Sequence, residues 1–196
     1  MLRDTSINAW LDRLEQQAPG SRDHAERSAI YALALGQKLG LSSEDLQTLR
    51  WGMLLHDIGK LSVPDSIIRF PGKLSAKEWA YLLHHPTDGD IMLADVEGAE
   101  QLRTVVRCHH ERYDGDGYPA GLKGQDIPLF GRIAAICDSW DVMLSDRPYS
   151  PAMTVSEAVA ELRRHTGTQF DPVLVTLFLS MCHRLVDIPT FVEHFS

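Results

Sequence analysis

Residues 99–119 read AEQLRTVVRCHHERYDGDGYP, a helical stretch that breaks after a histidine pair into a glycine-rich loop. The helix is expected over 99–111. Across 112–128, Gly115, Gly117, Gly121, Gly124, Pro119 and Pro128 preclude a regular helix. A connection of that length inside a compact domain is usually functional. Helix signals flank it on both sides. After it, Ile133, Ile136, Trp140 and Met143 recur at helical spacing, Thr154 with Glu157 makes a capping box, and Asp171-Pro172 starts one more helix. Before it, an amphipathic helix over 8–17 ends at Ala18-Pro19-Gly20-Ser21. A second runs over 23–39 through Ile30, Leu33, Ala34 and Leu35, and Gly40 stops it. Ser42 with Asp45 opens a third, buried along Leu46, Leu49, Met53 and Leu54. Ile58-Gly59 closes it, which leaves His56 and Asp57 in its last turn. Ser75 with Glu78 opens a helix through Trp79, Leu82 and Leu83 that Pro86 interrupts. Strand-like alternation is nearly absent. The expected fold class is all-α, a helical bundle of seven to nine helices, without internal repeats.

The chain has 196 residues, enough for one domain with a genuine core. Hydrophobic residues make up 44% and charged residues 23%, which excludes wholesale disorder. A net charge of −8 without a Lys/Arg cluster argues against a DNA or RNA polymer as partner. A small anion remains open, because bound cations reverse the field locally. Three cysteines (Cys108, Cys137, Cys182) at wide spacings form no disulfide framework and fit a reducing cytoplasm. The charged N-terminus has no signal-peptide core, and the longest apolar run, 173–182, is too short for a membrane span. A soluble, cytoplasmic protein is expected.

The nine histidines cluster with acidic residues. His24 sits near a helix start, His56-Asp57 at a helix end, His84-His85 before a proline and His109-His110 before the loop. Asp138 lies within an apolar helical stripe. Taken singly, each histidine is also consistent with a residue that satisfies a helix dipole, and Asp138 with a hydrogen-bonded helix residue. His165, His183 and His194 are read as having no acidic or histidine partner and are assigned no role. Together, five histidines and two aspartates form a ligand set suited to Zn, Fe or Mn inside a bundle, where a shared metal removes the cost of burying them.

His56-Asp57-Ile58-Gly59-Lys60 resembles the HD-x-GK element of HD-domain phosphohydrolases. Residues 109–119 resemble HHE-xx-DG-x-GYP, the signature of the HD-GYP subfamily. The likeness extends through 85–89, 121–124, 127–128, 138–141, 145–149 and 167–172, and so covers roughly 23–179. It implies an HD-GYP domain over 21–196 preceded by a helical extension over 1–20. The implied enzyme is a phosphodiesterase that hydrolyses cyclic di-GMP to pGpG or GMP. It also implies two divalent metal ions per chain, iron or manganese first, with Zn, Ni, Co or Mg as alternatives. A first ion would be held by His24, His56, Asp57 and Asp138. Asp57 would bridge to a second, held by His85, His109 and His110. Asp57 and Lys60 would be catalytic, Lys60 stabilising charge on the phosphoryl group. Lys60 and Arg147 would contact substrate phosphate, along with the loop residues Asp114, Gly115, Gly117, Tyr118 and Pro119. Glu111 and Asp141 would orient ligand histidines, or else fix helix packing. The loop would also meet GGDEF-type cyclase partners.

The chain departs from the family pattern at three places, the mildest being Phe130-Gly131 before Arg132-Ile133, where small residues are common. Some relatives hold a third metal with a glutamate one turn before the first histidine, where this chain has Gly20, so a two-metal site is expected. Ser150-Pro151 stands where a basic residue usually follows Arg147-Pro148-Tyr149. That substitution motivates a rival reading, a binding module for cyclic dinucleotides with little turnover. A third reading, an HD phosphohydrolase acting on mononucleotides, pGpG or another cyclic dinucleotide, is disfavoured by the intact GYP loop. The helix carrying Trp10, Leu11 and Leu14 either covers the domain's own core, the favoured reading, or serves a homodimer.

Overall fold

The computed structural model of the chain describes residues 4–70, 72–146 and 151–181. Arg147, Ser150, Cys182, His183 and His194 lie outside the described residues. The regular structure among the described residues is helical. The helices are α1 (Asp4–Gln17), α2 (Ser21–Lys38), α3 (Ser43–Leu55), α4 (Asp65–Ile68), α5 (Ala76–Met92), α6 (Leu102–Cys108), α7 (Leu129–Leu144), α8 (Val155–Arg164) and α9 (Pro172–Leu179). Short 3₁₀ turns cover Ile58–Ser62 and Gly124–Asp126. The fold is all-α, as the sequence implies, with one isolated bridge between Thr166 and Phe170.

Local chemistry sets most helix starts. Ser42 accepts the Asp45 amide, and Ser75–Glu78 and Thr154–Glu157 form reciprocal capping boxes. Asp171 accepts the Val173 and Leu174 amides with Pro172 at the first helical position. Each such cap contributes about 1 kcal/mol. The amphipathic faces then converge. α2 packs on α3 and α7, and α6 closes the ring between α3 and α7. Ala32, Leu35, Leu49, Met53, Val105, Val106, Ile133 and Ile136 fill its centre. α1 starts a turn earlier than expected and buries Ile7, Leu11 and Leu14 against α2, α3 and the 58–62 turn. The Leu11–Leu14 face therefore covers the chain's own core.

Two local expectations are corrected. The third helix stops at Leu55, so His56 caps it and Asp57 begins the 3₁₀ turn that carries Lys60. Gly59 lies within that turn because α5 presses on it: a Cβ there would stand 1.9 Å from the His85 carbonyl oxygen and 2.5 Å from the Gly89 nitrogen. Backbone-to-backbone contact brings the His56–Lys60 segment against the helix that holds His85. The second correction concerns Pro86, which does not interrupt α5. Proline removes the amide that would serve the Leu82 carbonyl, and the His85 imidazole takes that carbonyl instead through Nδ1.

Candidate metal centre

Each clustered histidine is aimed by what its Nδ1 holds. His56, His85 and His109 make the same contact, Nδ1–H donating to the backbone carbonyl three residues earlier, on Met53, Leu82 and Val106. That fixes the tautomer, so each Nε2 carries a lone pair pointing inward. His24 is held differently. Its Nδ1 lies 2.7 Å from Asp141 Oδ2, and Asp141 is gripped in turn by Arg27, whose Nε and second nitrogen donate at 2.6 and 3.0 Å. His110 stacks on the Tyr118 ring at 4.8 Å between centroids.

The inward nitrogens face one another. His24 Nε2 is 3.2 Å from His56 Nε2, and His85 Nε2 is 3.1 Å from His109 Nε2. For His85 and His109 both facing atoms are lone-pair carriers, an arrangement that repels unless a cation lies beside it. Asp57 stands between the two pairs with one oxygen toward each. Oδ2 is 3.6 Å from His56 Nε2, while Oδ1 is 3.3 Å from His85 Nε2 and 4.0 Å from His109 Nε2. Asp138 Oδ1 completes the first group at 3.1 Å from His24 Nε2. The donors fall into two sets compact enough for one ion each, His24–His56–Asp57 and His85–His109–His110. Mixed imidazole and carboxylate donors, all on inward atoms, fit a pair of divalent ions.

Electrostatics keep these groups ready to ligate. Burial pushes the imidazoles of His56 and His109 down, and that of His110 down to about 4, so all three are neutral donors at pH 7. His24 is the exception. Burial works against its charged form, but the bonds to Asp138 and Asp141 win and raise it to about 9. Burial opposes ionisation of Asp57 as well, yet the Lys60 ammonium beside it holds it well below the usual carboxylate range. Asp138 is lowered likewise by its hydrogen bond to His24, against its burial.

The cluster opens into a cleft of about 920 Å³ whose lining includes His24, Arg27, Asp57, Lys60 and Asp141. Lys60 Nζ contacts Asp57 Oδ2. Gly20 lies on the same wall with φ +89° and nothing within 4 Å of where a Cβ would stand, so no side chain supplies a third-ion ligand from that position. Asp114, Gly115, Gly117, Tyr118 and Pro119 are not among the residues that line this cleft, and neither are His56, His85, His109, His110 and Asp138. Asp114 pairs with Arg112 at 2.6 Å and accepts the Asp116 amide. Gly117 passes so close to residues 111–112 that a Cβ would lie 2.3 Å from the Arg112 nitrogen. The Tyr118 ring backs His110. Glu111 accepts the Ala120 and Leu122 amides with its two oxygens at 2.8 and 3.0 Å and so ties down the loop. Asp141 does face His24. His165 has an acidic neighbour after all, Glu161 at 3.0 Å, away from the cluster.

Arg27 escaped the sequence reading. The signal was present as two matched spacings. Arg27 follows His24 by three on α2, Asp141 follows Asp138 by three on α7, and packing of α2 on α7 sets the pairs opposite each other.

Comparison with known proteins finds that the HD domain family matches residues 9–174. The chain is 39% identical over 168 residues to the cyclic di-GMP phosphodiesterase response regulator RpfG of Xanthomonas campestris, covering 85% of this chain and 44% of the relative. It is 36% identical over 183 residues to the 3′3′-cGAMP-specific phosphodiesterase 2 of Vibrio cholerae, covering 91% of this chain and 35% of the relative. The chain thus spans less than half the length of either. Among solved structures, the HDG"Y"P protein of Bdellovibrio bacteriovorus superposes with a TM-score of 0.68 at 22% identity, over 83% of this chain and 52% of that one.

Proposed function

The chain belongs to the HD domain family, and from that membership we propose a metal-dependent phosphodiesterase that hydrolyses cyclic di-GMP. One observation carries the reading: the Asp57 carboxylate stands between two histidine groups with one oxygen toward each. When bound there, two divalent ions supply charge for the phosphate oxygens and lower the pKa of the attacking water. The mixed nitrogen and oxygen donor set accommodates iron, manganese or zinc, and the resemblance to the HD-GYP subfamily puts iron or manganese first.

The chain's own groups do the rest. Asp57 stays ionised despite burial, so its charge is available on both sides at once. Lys60 sits on the cleft wall beside Asp57 and offers its ammonium to the phosphoryl group as negative charge builds there. Arg27 and Asp141 hold the His24 ring so that Nε2 stays turned toward Asp138. Water attacks phosphorus, the P–O3′ bond breaks, and the 3′ oxygen leaves as a hydroxyl, giving pGpG. The exposed flank of the 112–128 loop is the surface proposed for a GGDEF-type cyclase.

A second substrate reading has its own support, since a relative at 36% identity is named as specific for 3′3′-cGAMP. Purified protein, loaded anaerobically with iron or with manganese, is expected to contain about two ions per chain and to convert cyclic di-GMP to pGpG or GMP by chromatography. Asp57→Asn is expected to lose at least one ion and essentially all turnover. Hydrolysis of 3′3′-cGAMP alone would move the assignment to that substrate. Tight binding without product for either would leave a signalling module, and unimpaired hydrolysis by the Asn variant would overturn the mechanism.

A further inference from the structure

The cleft that begins at Asp57 and Lys60 is far larger than one phosphodiester needs, and its outer half has a different character. There it is lined by Ile68, Phe70, Lys73, Leu74 and Trp79. Trp79 is 53% exposed and Phe70 46%, two of the few large hydrophobic side chains on the described surface. Neither serves the core, and both face the space that the metal cluster closes at its inner end. Trp79, Leu82 and His85 follow one another by three residues along α5, so they share one stripe of the helix. Six residues at the helical rise put Trp79 about 9 Å along the axis from the ligand histidine. That is near the reach of one nucleoside from its phosphate. A flat apolar ring beside open space, with a lysine in the same cleft lining, suits a purine base better than a sugar or a second phosphate.

We infer that Trp79 and Phe70 form a purine-stacking subsite, where a base of the dinucleotide rests while its phosphodiester reaches Asp57 and Lys60. The inference rests on the phosphodiesterase reading for the second half of that placement. Trp79 would choose among substrates by the base it accepts, and Lys73 would donate to an acceptor atom on the base edge.

The test pairs calorimetry with kinetics on the manganese-loaded full chain. Trp79→Ala is expected to weaken GMP and cyclic di-GMP binding by tenfold to a hundredfold, the range typical of one lost base stack. Trp79→Phe is expected to recover most of it. In turnover, the alanine variant's kcat/KM ratio between cyclic di-GMP and methyl p-nitrophenyl phosphate, which has no base, should fall by the same factor, mainly through KM. Alanine-variant affinities and ratios equal to wild type would overturn the subsite while leaving the phosphodiesterase intact. GMP binding that depends on Trp79, with no hydrolysis of any cyclic dinucleotide, would keep the subsite and sink the enzyme reading. Absence of nucleotide binding by wild type would overturn both.

Discussion

His56, His85 and His109 share one device: each spends its Nδ1 proton on a carbonyl a turn behind it, so a backbone already needed for the helix end also aims the ring. Side chains held this way cost little further entropy when they ligate. His24 depends instead on Asp141, and Asp141→Ala is expected to weaken metal affinity by about tenfold to a hundredfold, read by competition with a chelator. Titration follows from the same burial. His110 is lowered to about 4 and His56 and His109 are lowered too, so between that range and the ordinary 6.5 the unfolded chain binds more protons. Stability of the metal-free protein therefore falls as pH drops from about 6.5 toward 4. His24, raised to about 9, has the opposite sign: its contribution is complete below 6.5 and is lost as pH climbs through 9. Thermal melts of the metal-free protein across pH 4 to 10 should show a maximum near neutrality, and a flat profile would contradict both assignments.

The helices show where local signals suffice. Ser42, Ser75, Thr154 and Asp171 mark helix starts that the sequence discloses, because a cap and its partner sit within three residues. Pro86 misleads because counting backbone donors omits an imidazole that can replace one. Pro86→Ala is expected to raise the melting temperature of the metal-free protein, restoring a backbone hydrogen bond that proline's presence costs, up to about 3 kcal/mol. The candidate ligands were legible through short motifs, whereas Arg27 needed the knowledge that α2 lies on α7, a contact between segments more than a hundred residues apart. Gly59 is the tightest point between elements. Gly59→Ala has to push α5 off the 58–62 turn, with an expected loss of at least about 1–3 kcal/mol and of the bound ions, checked by melting and by metal content. An alanine variant that keeps both would mean that the close approach is not required.

As a whole, the chain gathers two carboxylates and five imidazoles into one cluster, and its net charge of −8 favours the approach of cations. Ion binding to the native state alone should stabilise it by about 2.7 kcal/mol when free metal is a hundred times Kd, seen as a melting point that climbs with added manganese and drops with chelator. Among the described residues no helix is long and apolar enough to cross a membrane. Glu111 follows directly on His110 and holds the Ala120 and Leu122 amides with its two oxygens. A shift of the histidine pair on loading is expected to reach those two N–H groups through the Glu111 carboxylate. Their deuterium uptake would then act as a built-in gauge of occupancy, slow in the metal-loaded protein and quick in the stripped one, with no dye or label attached.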